Sequence, residues 1–239
     1  TAWLALTGGA YALAVRAWLG RLPVVALIGF PPVLLTITHG QTAFLVSALL
    51  GGGLWLVARG RPGWGGILIG LAIIKPQFGV LVPVALIAAR EWRAVIAAAV
   101  SAAVLAGGAT VAFGLELWVD WWAVSGPAQD AMASGVIGFA KMQSLFSAAR
   151  LAGAPASIAY ALQTVLGVFV AAVVARCAWR SGLTVEVAAL TLCGALLGAG
   201  LGSGFGAVAL AGPDGWRSQR SNIRCWSASR ATSICGACT

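Results

Sequence analysis

Three short clusters in this 239-residue chain carry side chains able to do chemistry. The first is Lys75-Pro76-Gln77, near the centre of a 26-residue apolar run from Trp64 to Ala89. An ammonium at such a place costs about 2.5–3.5 kcal/mol to insert into a bilayer. No acidic residue lies in the same run, and Glu91 is about four helical turns away. Pro76 removes a backbone hydrogen bond beside the charge. A broken helix that exposes a cation and free backbone groups suits an anion such as a lipid phosphate. The structural alternative is a kink whose lysine reaches a carboxylate of another span, for example Glu186. The second cluster, His39-Gly40-Gln41-Thr42, joins two apolar runs after Pro31-Pro32. Histidine exchanges a proton near neutral pH, and a glutamine amide both donates to and accepts from a sugar hydroxyl. A polar turn between helices explains the same residues without a ligand. The third is Glu116 and Asp120, which suit an acid or base role or are solvated loop residues; no pair of carboxylates has a spacing that suits two-carboxylate hydrolysis.

Other chemistry is poorly supplied. One histidine and no clustered carboxylates make no metal coordination set, so neither metal nor cofactor is expected. Cys235-Gly-Ala-Cys238 has redox spacing but neither a second pair nor a βαβ context. No phosphate-cradling glycine loop, nucleophile elbow or H-E-x-x-H motif is present.

The elements that must position these residues are membrane elements. The chain is 60% hydrophobic and 9% charged, with a mean hydropathy of +0.95. A soluble domain has about a quarter of its residues charged, so a soluble globular enzyme and a disordered chain are both excluded. The expected fold is all-α, a polytopic transmembrane helical bundle. About seven apolar segments fill residues 1–211: Trp3–Leu19, Val24–Thr38, Thr42–Ala58, Trp64–Ala89, Ala94–Phe113, Ser157–Ala175 and Thr184–Ala211. The second contains Pro31-Pro32 and is expected to kink or unwind there. Gly51-Gly52-Gly53 and the glycines from Gly63 to Gly70 read as faces that let helices approach closely.

The net charge of +9 does not indicate nucleic acid. The arginines punctuate the apolar runs in pairs, Arg59 and Arg61, Arg90 and Arg93, Arg176 and Arg180, as basic residues do at membrane helix ends. The positive-inside rule then puts the last two pairs in the cytoplasm and the loop 115–155 outside. Arg59 and Arg61 break that rule if Trp64–Ala89 crosses once, and obey it if Lys75-Pro76 separates two half-helices. In the loop, Trp118, Trp121 and Trp122 suit the headgroup level, and residues 140–151 have the spacing of a short surface helix. The start at Thr1, inside an apolar run with no Met and no basic leader, sets the expectation of a fragment. Residues 212–239, with four Arg and one Asp and no periodicity, are expected to lie outside the membrane domain and not to fold. They read as a tail of altered reading frame or as a flexible cytoplasmic tail.

An ordered series of short motifs resembles glycosyltransferase family 87. It runs Phe30-Pro31-Pro32, His39-Gly40-Gln41, Arg59-Gly60-Arg61, Gly65-Gly66-Ile67-Leu68-Ile69-Gly70-Leu71-Ala72, Lys75-Pro76-Gln77, Pro83, Arg90-Glu91-Trp92-Arg93, Met142-Gln143-Ser144-Leu145-Phe146 and Arg150-Leu151-Ala152-Gly153, within Leu22 to Leu197. The resemblance implies a C-type glycosyltransferase of the bacterial plasma (inner) membrane. It implies a polyprenyl-phosphate sugar donor, often of mannose, and a lipid-linked or glycan acceptor. It places the catalytic Asp or Glu in an early outer loop, upstream of residue 1. The positions it leaves as substrate-binding are His39, Gln41, Lys75 and Gln77. A lipid or solute transporter (a flippase) and an inactive membrane fragment are the rival readings.

Overall fold

A computed structural model describes residues 2–20, 29–39, 42–121 and 144–198. Every described element is helical. In chain order the α-helices are α1 (Ala2–Leu19), α2 (Pro31–His39), α3 (Ala43–Ala58), α4 (Pro62–Leu71), α5 (Pro76–Gly79), α6 (Leu81–Ala88), α7 (Trp92–Phe113), α8 (Leu145–Leu151), α9 (Ala156–Ser181) and α10 (Val185–Gly198). A 3-10 turn, Ala72–Ile74, extends α4. Residues 116–121 are also helical. Two of these helices, α7 with 22 residues and α9 with 26, are long and apolar enough to cross a membrane. Only 6% of the apolar window of α7 and 22% of that of α9 are buried. The core helix of a soluble protein would be buried on most sides, so this exposure marks a membrane-associated protein.

Pro31 and Pro32 open α2 rather than kink it. A proline in the first turn loses nothing, because that N–H has no partner within the helix, and its fixed φ is already helical. Residues 24–28 of the same apolar run lie outside the described residues, as do the loop segment 122–143 and the tail 212–239.

The α3–α4 turn follows from Arg59-Gly60-Arg61-Pro62. Gly60 has φ +77; its N–H donates to the Val57 carbonyl at 2.9 Å, and the Arg61 N–H donates to Leu56 at 2.9 Å. This paired closure ends a helix with one left-handed residue, and Pro62 starts the next. The two helices then run antiparallel in close approach. A methyl group on Gly53 would stand 2.9 Å from the Gly65 carbonyl oxygen, and one on Gly65 would stand 2.5 Å from that of Gly53.

The next contact decides the topology. Gly66 of α4 lies against the Ala94 carbonyl of α7, and Gly70 lies against the Ala98 carbonyl and Ser101. A step of four residues on one helix matches a step of four on the other in the same direction, so α4 and α7 are parallel. Pro62 and Arg90 therefore stand at the same level. The stretch between them does not cross as one helix. It leaves the Arg59–Arg61 turn along residues 62–74, breaks at Lys75, and returns along residues 76–88. Each leg is about 20 Å long, about two thirds of a 30 Å hydrocarbon core. The Arg90 guanidinium lies 4.5 Å from the ring centre of Trp179 near the end of α9. All three arginine pairs thus gather at one end of the bundle. Of the two arrangements, the structure has the one with two half-helices, in which Arg59 and Arg61 stand at the same end as Arg90 and Arg93.

The buried core joins the legs to the α9–α10 hairpin. Leu54, Val57, Ile69, Val82, Ala85, Leu86, Ala94, Val174, Ala178 and Ala188 form one cluster. The glycine faces expected from sequence are the surfaces on which α3, α4 and α7 meet.

Candidate functional site

The break follows from Ile73-Ile74-Lys75-Pro76. A residue before proline is driven out of the helical region by the proline ring. Lys75 accordingly has φ −136 and ψ 74, the 3-10 turn closes ahead of it, and Pro76 opens α5. The Lys75 N–H donates to the Ala72 carbonyl at 3.0 Å. Val80 keeps helical angles, φ −57 and ψ −37, so α5 and α6 form a nearly continuous leg. Lys75 is half-buried at the tip of both legs, and Gln77 lies in the first turn of α5. The tip is held between two neighbours: the 3-10 turn touches α3, and α5 touches α10.

The alternative partner for Lys75 is ruled out by distance. Gly194 of α10 lies beside Leu81, where a methyl group on the glycine would stand 3.1 Å from the leucine side chain. Glu186 lies eight residues from Gly194 toward the arginine end, about 12 Å along the helix, while Lys75 lies six residues from Leu81 the other way, about 9 Å. The two charges sit near opposite ends. Among the described residues, no carboxylate pairs with Lys75.

The second cluster arrives at the same level. His39 is the last residue of α2, and Gln41 and Gly40 lie outside the described residues. Thr42 precedes α3, which runs 16 residues, about 24 Å, to the Arg59 end. The leg to Lys75 rises from the same turn by about 20 Å. Three residues of chain span at most about 11 Å, which ties His39 to Thr42. The fold therefore brings the end of α2 at His39 and the Lys75 break to one end of the α3–α4 hairpin, away from the arginines.

Of the carboxylates, Asp130 lies outside the described residues. Glu116 and Asp120 are exposed in the helical stretch 116–121, beyond the far end of α7. Trp118 there donates its indole N–H to the Thr110 hydroxyl at 2.8 Å. Among the described residues, no group of three metal-ligating side chains occurs.

One polar residue in this half was missed by sequence reasoning. Gln163 is 1% exposed within α9. Its Oε1 accepts from the Phe146 N–H at 3.1 Å, and its Nε2 donates to the Leu197 carbonyl at 2.9 Å. It ties α8 to the α9–α10 hairpin. The only signal was a lone amide in an apolar run. Within the surface helix expected over 140–151, the structure has a helix at Leu145–Leu151 that starts at a Ser144–Ser147 capping box. Its apolar side turns onto α9, where Phe146 meets Tyr160 at 4.5 Å between ring centres. Residues 140–143 lie outside the described residues.

The model of glycosyltransferase family 87 matches residues 1–204. No curated protein and no solved structure matches the chain.

Proposed function

The chain belongs to glycosyltransferase family 87, and from that premise we propose that it is a multi-pass plasma-membrane hexosyltransferase, with mannose as the first candidate sugar. The donor is a polyprenyl-phosphate sugar and the acceptor a lipid-linked sugar or glycan. The acceptor hydroxyl forms the new bond to the anomeric carbon. The bond from that carbon to the phosphate oxygen breaks, and polyprenyl phosphate leaves. A carboxylate takes the hydroxyl proton; we assign that base to no residue of this chain.

The observation that carries this reading is the break at Lys75. A half-buried ammonium without a carboxylate among the described residues stands where two half-helices meet, and a membrane interior makes such a charge costly unless an anion offsets it. Lys75 would hold the donor phosphate and stabilise the charge that develops on it as it leaves. Gln77, Gln41 and His39 would contact sugar or phosphate. The orientation follows from the arginine end facing the cytoplasm, which puts the Lys75 tip toward the outer leaflet.

The test uses membrane vesicles carrying the chain and a radiolabelled polyprenyl-phosphate hexose. Label is expected in a new lipid or glycan product. Lys75→Ala is expected to lower transfer about 100-fold at equal membrane abundance, and Lys75→Arg to retain part of it. A Lys75→Ala protein as active as the parent would remove the phosphate role. Absence of transfer with several donor sugars and a broad acceptor extract would bring the transporter reading forward, since broken helices around a midplane charge also serve transport.

A further inference from the structure

A long apolar groove runs along α7, from the arginine end to the far end of the helix. Its volume is about 1030 Å³, and its lining runs from Arg93 to Phe113 with Ile67 and Leu71 of α4 on the other wall. Arg93 is the one charged residue in that lining. Along α7 this is about 30 Å, the thickness of a hydrocarbon core. Ile96, Val100 and Val104 in the groove are 62%, 58% and 70% exposed.

The head of the groove, at Arg93, lies at the arginine end. Trp64 and Trp92, in the first turns of the parallel α4 and α7, are exposed there, as interfacial tryptophans are. The neighbouring arginines differ in what holds them. Arg59 lies over the Trp55 ring at 5.4 Å and Arg90 over Trp179 at 4.5 Å. Arg93 is exposed, and among the described residues no carboxylate or ring engages it.

From this we infer that the groove is a binding site for an anionic glycerophospholipid of the arginine-side leaflet. The headgroup phosphate meets the Arg93 guanidinium, which offers a fork of donors matched to phosphate oxygens. An acyl chain lies along Ile96, Val100 and Val104. The charge sits at the end where the tryptophans put the headgroups, and the apolar wall begins one turn deeper, so the groove matches an amphiphile with a negative head in that order. The site is independent of the glycosyltransferase reading. It requires only that α7 span the membrane.

The test is photolabelling of the full chain in nanodiscs of equal phosphatidylglycerol and phosphatidylcholine. Either lipid carries a photoreactive acyl chain, and adducts are mapped by mass spectrometry. Adducts on residues 96–104 are expected to form about fivefold more with phosphatidylglycerol, the effect of one basic residue on an anionic lipid. Arg93→Gln is expected to bring the two lipids to parity. Arg61→Gln, at the same end but outside the groove, is expected to change nothing. Val100→Trp is expected to reduce adducts from both lipids by filling the wall. Equal labelling by the two lipids in the parent protein would overturn the inference. So would equal loss in Arg61→Gln and Arg93→Gln, which would reduce the effect to a general basic surface.

Discussion

The two long helices have nearly the same hydropathy and are held in opposite ways. In α7, 6% of the apolar window is buried. Its attachment is a backbone approach: Gly66 and Gly70 of α4 meet the Ala94 and Ala98 carbonyls, and the Ser101 hydroxyl donates to the Ile67 carbonyl at 3.1 Å. Beyond that contact, a side chain at Gly107 or Gly108 would meet nothing within 4 Å. In α9, 22% of the window is buried, Val174 and Ala178 are fully enclosed, and Gln163 bonds to two other elements. The comparison shows that apolarity fixes whether a helix can enter a bilayer but not what it packs on. Lipid tails are as apolar as leucine, so small residues and polar groups select the neighbours.

The sharpest way to break this comparison is Gly70→Leu. The new side chain would collide with the Ala98 carbonyl and Ser101, and backbone cannot give way as a flexible side chain can. A loss of about 3 kcal/mol or more is expected, read as a lower unfolding midpoint in a fixed detergent. Gly108→Leu, with open space around it, serves as the control and is expected to melt with the parent. If Gly70→Leu melts with the parent too, α7 is not held through the glycine face.

Next in size is Gln163→Leu. The Phe146 N–H and the Leu197 carbonyl would lose their partner in a buried place, at a cost of about 2 kcal/mol. Proteolysis between α7 and α8 is expected to quicken as α8 loosens, while the α4–α7 contact stays intact. An unchanged cleavage rate would show that Phe146 packing alone holds α8. The smallest effect is expected for Ser101→Ala, about 0.6 kcal/mol, since one interhelical hydrogen bond is worth little when the unfolded chain in the membrane finds other partners. A larger loss on the same unfolding curve would make the hydroxyl, not the glycines, the main tie.

Much of the candidate site was legible before any coordinates. Lys75 before Pro76, inside a long apolar run, announces a helix break, because both the charge and the proline ring oppose a continuous helix. His39 and Gln41 stood out as polar residues between apolar runs. Gln163 did not, since one amide among apolar residues carries no period and no spacing. The Pro31-Pro32 pair announced an interruption, kinked or unwound, and the structure shows the unwound form, with residues 29–30 non-helical ahead of α2. The Arg59–Arg61 pair posed a topology that sequence could state only as two options.

By itself, then, the amino-acid sequence determined the all-helical class, the apolar runs, the break at Lys75 and the small-residue faces. These depend on local chemistry: hydropathy over a window, the ring of a proline, the missing side chain of a glycine. Only the tertiary structure decided that α4 and α7 run parallel, that the arginine pairs share one end, that Glu186 is out of reach of Lys75, and that Gln163 binds two elements at once. Those depend on which residues far apart in the chain come into contact, and in a bilayer that choice rests on a few close backbone approaches and hydrogen bonds rather than on hydrophobicity, which nearly every segment here shares.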